Sequence, residues 1–471
     1  AILVFLVFST PPFAMASPDE VIYVPDNYAT IQEAVNAATD GDTIIVRNGT
    51  YYENVVLNKK LTLIGEGLPT INPQGYRDAI KITSNNCVVR GFRCTISGWY
   101  FGIRAESDGN LIENNTCENG YMGGIGLWSS SNNVVTNNTC ENNGVGIYSY
   151  HSSNNMIRSN KICESSSAGI YLTESSSNNY IMNNEISNNN QNGIELHNCL
   201  NNTISNNKIR VHYYGGIRLC GSSNNVITNN TCENHYQDGI GLFNSQNNTI
   251  FNNTLYENGR GIRFVYNLSN DNIVCNNIIY NNYYGTFFDS SGNNFLYLNN
   301  FINNSDNIYS YDSTNIWNST EEITYTYDGT TYENYTGNYW DDYTGNDADG
   351  DGIGDTPYSR DSESDVYPLM EPFENYMITP TEPYTKTDVG VTTNITLASP
   401  EDIAAYLPPE YADMDMSDAI VLNVNITDNT PGNLTDDAYT DITIKIGELD
   451  IETCKVFKTG IGFLPEVDDV T

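Results

Sequence analysis

Positive charge is scarce in this chain of 471 residues. It has 20 Lys and Arg against 58 Asp and Glu, a formal net charge of −38. A surface of that sign cannot neutralise a run of phosphates, so nucleic acid is excluded as a partner. The shortage is uneven, because residues 1–300 hold 23 acids and 15 bases whereas residues 301–471 hold 35 and 5. This change in composition predicts a domain boundary.

Long apolar runs are also lacking. Beyond the first residues, no stretch approaches the roughly 20 apolar residues of a membrane-spanning helix, so we predict no membrane span within the chain. The opening AILVFLVFSTPPFAMAS is shorter, and Ala14-Met15-Ala16 is typical of a signal-peptide cleavage site. We therefore predict a truncated signal peptide over residues 1–16 and an extracellular or cell-surface location. Many Asn-x-Ser/Thr acceptors for glycosylation agree with export: Asn48, Asn114, Asn137, Asn201, Asn229, Asn247, Asn252, Asn267, Asn303, Asn318, Asn334, Asn394, Asn425 and Asn433.

Helical periodicity is missing from the middle of the chain, where a repeat of 22 to 24 residues takes its place. Each repeat has an Asn before a Cys or aliphatic position, a second Asn before an aliphatic pair, and a Gly followed by Ile or a related residue. The first Asn recurs at Asn115, Asn138, Asn160, Asn184, Asn207, Asn230, Asn253, Asn277 and Asn300. Three elements of period two in so short a unit predict three short strands and leave no room for a helix.

Short strands joined by Asn- and Gly-rich turns bury their apolar sides by coiling about a common axis, with turns about 4.8 Å apart. The repeat therefore predicts an all-β fold, a right-handed parallel β-helix of about twelve turns over residues 43–318. Residues 17–42 are predicted to form an N-terminal cap with a short helix that starts at Thr30 or Asp26. Residues 319–377 are predicted to form a C-terminal cap, residues 378–388 a linker, and residues 389–471 an incomplete β-sandwich-like domain.

The segment PDNYATIQEAVNAATDGDTIIVRNGTYYENVVLNKKLTLIGEG, followed by these repeats, resembles NosD-like parallel β-helix repeat proteins of archaeal, especially methanogen, cell surfaces. The resemblance covers about residues 18–375. It implies the architecture more than an activity, because the fold carries lyases, hydrolases, epimerases, adhesins and structural proteins. The family name also raises a copper-accessory role.

Regularly spaced cysteines are the first candidate site. Cys94, Cys117 and Cys140 share one repeat position with Cys232, and other turns have Ile or Leu there, which favours inward packing. Two alternatives remain open at this point: a thiolate stack that holds Cu(I), and a disulfide between neighbouring turns.

Acid–base chemistry has five weak candidates. Glu195 and Arg218 hold equivalent outward positions in successive turns and are predicted to form an ion pair. His212 and His235 are expected to stack one turn apart on a lateral surface, with Asp238 nearby, where they could act as acid and base or hold a metal. The Asp-rich elements typical of hydrolases of this fold are absent, so we predict no catalytic site.

A calcium-type loop is the sharpest local motif. In NDADGDGIGDTPY, Asp347, Asp349 and Asp351 stand at positions 1, 3 and 5 of the pattern, followed by the Ile353 carbonyl and Asp355. Alternating Asp in a Gly-rich turn directs hard oxygens to one point, as Ca²⁺ requires. The usual last Glu is missing, and three acids could replace it: Asp361, Glu363 and Asp365.

Tyrosine is over-represented, with 35 residues, many beside the repeat faces. Exposed aromatic rows on a polar scaffold are suited to stacking on sugar rings. The sequence therefore favours an exported, non-catalytic protein that binds or organises carbohydrate, envelope glycans or other surface proteins. A polysaccharide lyase, hydrolase or epimerase and a copper-accessory protein are the alternatives.

Overall fold

The computed structural model describes residues 20–74 and 77–378, and the backbone of five strands beyond them. The chain divides into two compact units, residues 1–320 with 336–373, and residues 321–335 with 374–471. The predicted signal peptide and most of the predicted C-terminal domain lie outside the described residues.

Three parallel sheets form the first unit, and the chain visits sheet A, sheet B and sheet C once per turn. Sheet A contains Val21–Val24, Thr43–Val46, Thr62–Gly65, Val88–Arg90, Leu111–Glu113, Val134–Thr136, Met156–Arg158, Tyr180–Met182, Thr203–Ser205, Val226–Thr228, Thr249–Phe251, Ile273–Cys275 and Phe295–Tyr297. Sheet B contains Thr50–Tyr51, Thr70–Ile71, Arg93–Thr95, Thr116–Glu118, Thr139–Glu141, Lys161–Cys163, Glu185–Ser187, Lys208–Arg210, Thr231–Glu233, Thr254–Tyr256, Ile278–Tyr280, Asn300–Ile302 and Tyr339–Trp340. Sheet C contains Val55–Leu57, Ile80–Ile82, Phe101–Ala105, Gly123–Trp128, Ile147–Tyr150, Ile170–Thr173, Asn192–His197, Gly215–Cys220, Asp238–Phe243, Arg260–Val265, Tyr284–Asp289 and Asp306–Tyr311.

This arrangement confirms the right-handed parallel β-helix. Equivalent repeat positions are register partners in successive strands, as Cys117 is with Cys94 and with Cys140. Alternate residues of each strand point inward and pack into one continuous apolar core, in which the Ile of each Gly-Ile element is fully buried. A strand too short to fold alone is stabilised by its neighbours above and below.

Buried Asn side chains line the corners between sheets. At the corner between sheets A and B they form a ladder, in which each amide oxygen accepts from the backbone N–H and the side-chain N–H of the Asn one turn earlier. Asn115 bonds to Asn138 and Asn138 to Asn160 in this way, at 2.9 to 3.1 Å. The column continues through Asn184, Asn207, Asn230, Asn253, Asn277, Asn299 and Asn338. The predicted column is thus confirmed from Asn115 to Asn277, but its last member is wrong: Asn299 accepts from Asn277 and holds the place predicted for Asn300, which lies one residue later in a strand of sheet B.

A short helix, Ile31–Ala37, covers the N-terminal part of the core. Thr30 is its N-cap and forms a capping box with Glu33, which confirms one of the two predicted starts and not the other, Asp26. Ile31, Ala34 and Val35 are buried, and Lys59 donates to three carbonyls at the end of the helix.

Two Trp residues and two carboxylates lie beyond the last full turn. Trp317 and Trp340 are 1% exposed and contact each other and Phe301. Glu363 accepts from the Trp317 indole and Asp365 from the Trp340 indole. Both acids belong to a small antiparallel pair, Tyr358–Arg360 with Glu363–Asp365.

The second unit is antiparallel in its described parts. Ile323–Tyr327 pairs with Thr330–Asn334 and with Met377–Ile378. Thr385–Asp388, Val391–Ala398 and Val421–Asp428 form a second sheet, and Val456–Phe457 pairs with Val467–Asp468. A short 3₁₀ helix spans Phe373–Asn375.

Candidate functional site

The outer face of sheet C carries most of the chemistry. Between the buried positions of each strand, one outward residue per turn forms a central row. Register places these residues above one another: Lys81, Arg104, Gly126, Tyr148, Tyr171, Glu195, Arg218, Gly241, Arg263, Phe287 and Tyr309. Since neighbouring strands are about 4.8 Å apart, this row aligns its side chains for a long, extended ligand.

An aromatic shelf occupies the first part of this face. It consists of Phe101, Trp128, Tyr148, Tyr150 and Tyr171. Trp128 stacks on Tyr150 at 4.5 Å between ring centroids, and Tyr148 lies 5.6 Å from Tyr171 and 6.1 Å from Phe101. Phe101 is buried, whereas the other four rings are partly exposed. Gly126 makes this possible, because a Cβ there would lie 2.8 Å from the Phe101 ring.

An ionic cluster follows on the same face. Arg260 bonds to the Asp238 carboxylate at 2.9 Å, and Arg263 lies 3.7 Å from its other oxygen. Burial raises the pKa of Asp238, and the two guanidinium groups oppose that shift. Arg263 and Arg218 both lie over the Phe243 ring, at 5.2 and 4.1 Å from its centroid.

A second group of cations lies at the other end of the shelf. Arg104 contacts Asp78 at 3.0 Å and Glu106 at 2.8 Å, and Lys81 contacts Glu106 at 2.7 Å. Asp78, Lys81, Arg104 and Tyr100 are among the residues that line an open hollow of about 500 Å³. Basic side chains therefore lie beyond both ends of the aromatic shelf, most of them in ion pairs, and Glu195 stands between Tyr171 and Arg218 in the central row.

Glu195 and Arg218 are neighbours across two strands, as predicted, but the predicted ion pair is wrong. Glu195 accepts from the Asn192 amide at 2.8 Å. Arg218 instead donates to the Cys220 sulfur at 3.2 Å and lies over Phe243. Gly241 follows Arg218 in the central row, and its missing side chain leaves the Phe243 ring open to the guanidinium.

His212 and His235 are buried, at 3% and 2% exposure, so their predicted place on a lateral surface is wrong. They occupy a corner position that Asn258 and Asn282 hold in later turns. Each Nδ1 accepts a backbone N–H from one turn earlier, as the Asn oxygen does. Burial lowers the pKa of His212 to about 4, and burial with the neighbouring imidazole lowers the pKa of His235 well below its usual value.

These hydrogen bonds determine which nitrogen of each imidazole carries the proton. A neutral imidazole that accepts at Nδ1 has its proton on Nε2, so neither nitrogen has a lone pair free for a metal. The two Nε2 atoms are buried without a hydrogen-bond partner among the described residues. Asp238 bonds instead to arginine. These residues fit a structural role better than a metal centre or an acid–base pair.

The cysteine column points inward, as predicted. Cys94, Cys117, Cys140 and Cys232 are fully buried and free, in one column with Ile162, Ile186, Ile209, Leu255 and Ile279. A hydrogen bond with Cys94 and burial raise the pKa of Cys117, and burial raises that of Cys140. Metal binding requires thiolates, so this apolar column suits packing better than Cu(I).

The acidic loop brings together the first three predicted calcium ligands. One carboxylate oxygen from each of Asp347, Asp349 and Asp351 lies within 4.8 Å of the others. The negative charge of Asp351 is the main cause that raises the pKa of Asp349. Ile353 donates its N–H to Asp351 and Asp355 accepts from the Ala348 N–H, contacts that fold the loop.

The three acids considered as a last ligand are engaged elsewhere. Asp361 accepts from the Ser310 N–H, Glu363 from the Trp317 indole, and Asp365 from the Trp340 indole. Among the described residues, none of them joins the cluster of three Asp.

An exposed aromatic ridge lies along the corner between sheets B and C. Trp99 lies 4.8 Å from Tyr121, and Tyr213 stacks on Tyr236 at 5.2 Å. The four rings are between 56% and 72% exposed.

Sequence reasoning missed the aromatic shelf as a unit and the Arg260–Asp238–Arg263 cluster. The signal was present in the spacing, because Asp238 and Arg260 stand one repeat apart at the first strand position of sheet C. The position after the Gly-Ile element shows only part of the cluster, because Arg263 stands there whereas Asp238 and Arg260 stand before the Gly.

Comparisons with known proteins agree with this architecture. Residues 78–224 match the family described as right handed beta helix region, and residues 211–345 match the family described as periplasmic copper-binding protein (NosD). A cell surface glycoprotein of Methanothermus fervidus is 36% identical over 126 residues, which are 26% of this chain and 21% of that protein. The chain thus spans about a fifth of the length of this curated relative.

Two solved structures share the fold at low identity. The A-modules of the Azotobacter vinelandii mannuronan C-5 epimerases AlgE6 and AlgE4 have TM-scores of 0.52 and 0.51, each at 17% identity. The matches cover 60% and 63% of this chain, and 91% and 100% of the two modules. Among the described residues, no helix is both long and apolar enough to cross a membrane. The chain is a right-handed parallel β-helix repeat protein; residues 211–345 are similar to the NosD family, and 126 residues are similar to part of an archaeal cell surface glycoprotein.

Proposed function

We propose that this chain is an exported surface protein that binds carbohydrate on the outer face of sheet C and does not turn it over. The observation that carries the proposal is the aromatic shelf, a continuous set of partly exposed rings on a face made rigid by stacked strands. The cell-surface relative supports a location among envelope glycans.

The chemistry of the shelf favours sugars over an apolar partner. Indole and phenol rings offer apolar faces with a polar edge, which suits the C–H face and hydroxyl rim of a pyranose. Around the rings, the Tyr171 hydroxyl, His197 and Glu195 supply hydrogen-bonding groups. Basic groups at both ends, Lys81 with Arg104 and Arg218 with Arg263, suit a chain with acidic sugars.

Replacing Trp128 by Ala is expected to weaken binding of a responsive polysaccharide by about 3- to 10-fold, because one aromatic contact contributes roughly 0.5–1.5 kcal/mol. Isothermal titration with neutral and uronate-containing oligosaccharides measures the change. Tyr236→Ala on the aromatic ridge is the matched control and should leave the affinity unchanged. Equal loss in both variants would contradict binding on sheet C.

An enzyme of the same fold is the second candidate, favoured by the buried Asp238 between two arginines. Lysis or hydrolysis of a glycan needs an acid or base that reaches the substrate. The bonding observed engages Asp238 with arginine and Glu195 with Asn192, which supports binding without turnover. Incubation with acidic polysaccharides should give neither new reducing ends nor unsaturated products, and either product would establish the enzyme.

A copper-accessory role is a further alternative, raised by the family description for residues 211–345. It predicts that the purified chain retains stoichiometric Cu(I) through gel filtration. Replacement of Cys94, Cys117 and Cys140 by Val would then abolish retention. We expect no retention in either form, because the thiols lie in an apolar column.

We propose that the Asp347–Asp349–Asp351 loop binds Ca²⁺ as a structural ion. Three carboxylates held together repel one another, and a divalent cation removes that repulsion. Removal of Ca²⁺ by EDTA is therefore expected to lower the melting temperature by about 1–3 °C, the shift that roughly 1–2 kcal/mol gives in a unit of this size. Differential scanning calorimetry measures it. Asp349→Asn should have little further response to EDTA, whereas an unchanged wild-type transition would contradict the site.

A further inference from the structure

Exposed Asn residues form a second set of columns, outside the buried ladders. They lie at the two corners that flank sheet A, with φ near +55°, a backbone conformation that Asn tolerates better than most residues. Each one directly precedes a buried ladder Asn, as Asn114 precedes Asn115 and Asn229 precedes Asn230. The buried ladder Asn recurs in each of these turns, whereas the outer position also accepts other residues, such as Ser159 before Asn160 and Asp271 before Asn272.

Threonine two residues later is not required by the fold. In sheet B this strand position holds Thr231 in one turn and Lys208 or Ile278 in others. Where Thr is present, the exposed Asn becomes an Asn-x-Thr acceptor. Six corners meet this condition: Asn114, Asn137, Asn201, Asn229, Asn247 and Asn252.

The six acceptor side chains are available for modification. Five are exposed and Asn229 is partly exposed. None of their amide groups makes a hydrogen bond within the part of the chain that the structure describes, whereas every neighbouring ladder amide is bonded. A free, outward amide beside a half-exposed Thr is the arrangement that N-glycosylation needs.

We propose that these six asparagines carry N-linked oligosaccharides, so that the glycans cover the side of the coil that contains sheet A. The donor is a lipid-phosphate-linked oligosaccharide. The Asn Nδ2 forms a bond to the anomeric carbon and loses one proton, while the bond from that carbon to the phosphate oxygen breaks and the phosphate leaves with the electron pair.

The placement is one-sided. From residue 101 to residue 302, every Asn-x-Ser/Thr acceptor lies at a corner of sheet A, including Asn267 in a longer turn. None lies on the sheet C face or on the aromatic ridge. Asn303, at the corner between sheets B and C, is the next acceptor along the chain. Glycans at the six sites would leave the outer face of sheet C open to a partner.

The test is glycopeptide mass spectrometry on the full chain secreted from an archaeal host with N-glycosylation. Thr231→Ile should remove one glycan from Asn229 alone, and Lys208→Thr should add one at Asn206, an exposed corner Asn that now lacks the Thr. Both variants keep residue types that neighbouring turns use, and matching melting curves verify their fold.

Occupied Asn114, Asn137, Asn201, Asn229, Asn247 and Asn252 are the expected result. Bare asparagines at these corners in the secreted chain would overturn the proposal. A glycan on Asn303, together with no glycan on the six asparagines beside sheet A, would overturn the one-sided arrangement. Neither outcome depends on whether sheet C binds carbohydrate, so the two proposals fail separately.

Discussion

Replacing Asn207 by Ala is expected to destabilise the coil by about 3–5 kcal/mol. The Asn207 oxygen accepts from the backbone and side-chain N–H of Asn184, and its amide donates to the Ile181 carbonyl and to Asn230. All four bonds lie in the interior, and each buried group left without a partner costs roughly 1–3 kcal/mol. Chemical denaturation followed by circular dichroism measures the loss.

The matched control is Asn206→Gly, one residue earlier. Asn206 is exposed at φ +55°, a conformation that Gly adopts without strain, and its side chain makes no bond among the described residues. The free energy of unfolding of this variant should differ from that of the wild type by less than about 0.5 kcal/mol. Similar losses in the two variants would contradict the assignment of the effect to the ladder.

Asp365 is expected to make the fold less stable as pH rises. Its carboxylate is fully buried and accepts from the Trp340 indole and from backbone N–H groups of Asn338 and Tyr367. Burial nonetheless raises its pKa to about 7, against 3.8 in the unfolded chain. The folded state then holds a proton that the unfolded state has released. Stability is therefore full below about pH 4 and falls as pH rises to about 7, by at most on the order of 4 kcal/mol.

The measurement is the pH dependence of the free energy of unfolding in the wild type and in Asp365→Asn. The variant loses the titrating group, so its stability should fall less steeply between pH 4 and 7, whatever its absolute stability. Trp340→Phe removes one donor to the carboxylate, which should raise the folded pKa and make the loss of stability continue to higher pH than in the wild type. Parallel pH profiles for the wild type and Asp365→Asn would contradict the assignment.

The periodic part of the fold is predictable from sequence because one constraint recurs in every turn. A residue that faces the core, such as Cys140, is exchangeable with Cys or Ile one turn away, whereas a ladder residue such as Asn138 stays Asn. These substitution patterns indicate both which residues are register partners in successive turns and which side chains face the core. The start of the helix at Thr30 is equally local, since its capping box depends on Glu33 three residues later.

The histidines show how the same reasoning can fail. His212 and His235 belong to the same corner column as Asn258 and Asn282, one and two turns further on. Nδ1 can replace the amide oxygen as acceptor of a backbone N–H, so His substitutes for Asn in a buried column. A histidine considered by itself suggests a metal ligand or an acid–base group. Its place in a column of buried Asn residues predicts a structural hydrogen bond instead.

Interactions of long side chains and non-repeating segments were harder to predict. Register fixes Glu195 beside Arg218, but the choice of partner depends on Phe243, which the missing side chain of Gly241 leaves open. Glu363 and Asp365 reach the ends of the Asn ladders from a segment with no repeat, so spacing gave no sign of their partners. The calcium-type loop is local, and its first three Asp residues do come together.

The most direct test of carbohydrate binding on sheet C is a tryptophan fluorescence titration. Trp317 and Trp340 are buried, which leaves Trp128 on the shelf and Trp99 on the ridge as the responsive indoles. In Trp99→Phe, a polysaccharide that binds should still give a saturable change in emission, and in Trp128→Phe that change should be lost. A response that survives in Trp128→Phe and disappears in Trp99→Phe would place the sugar on the ridge and contradict the account.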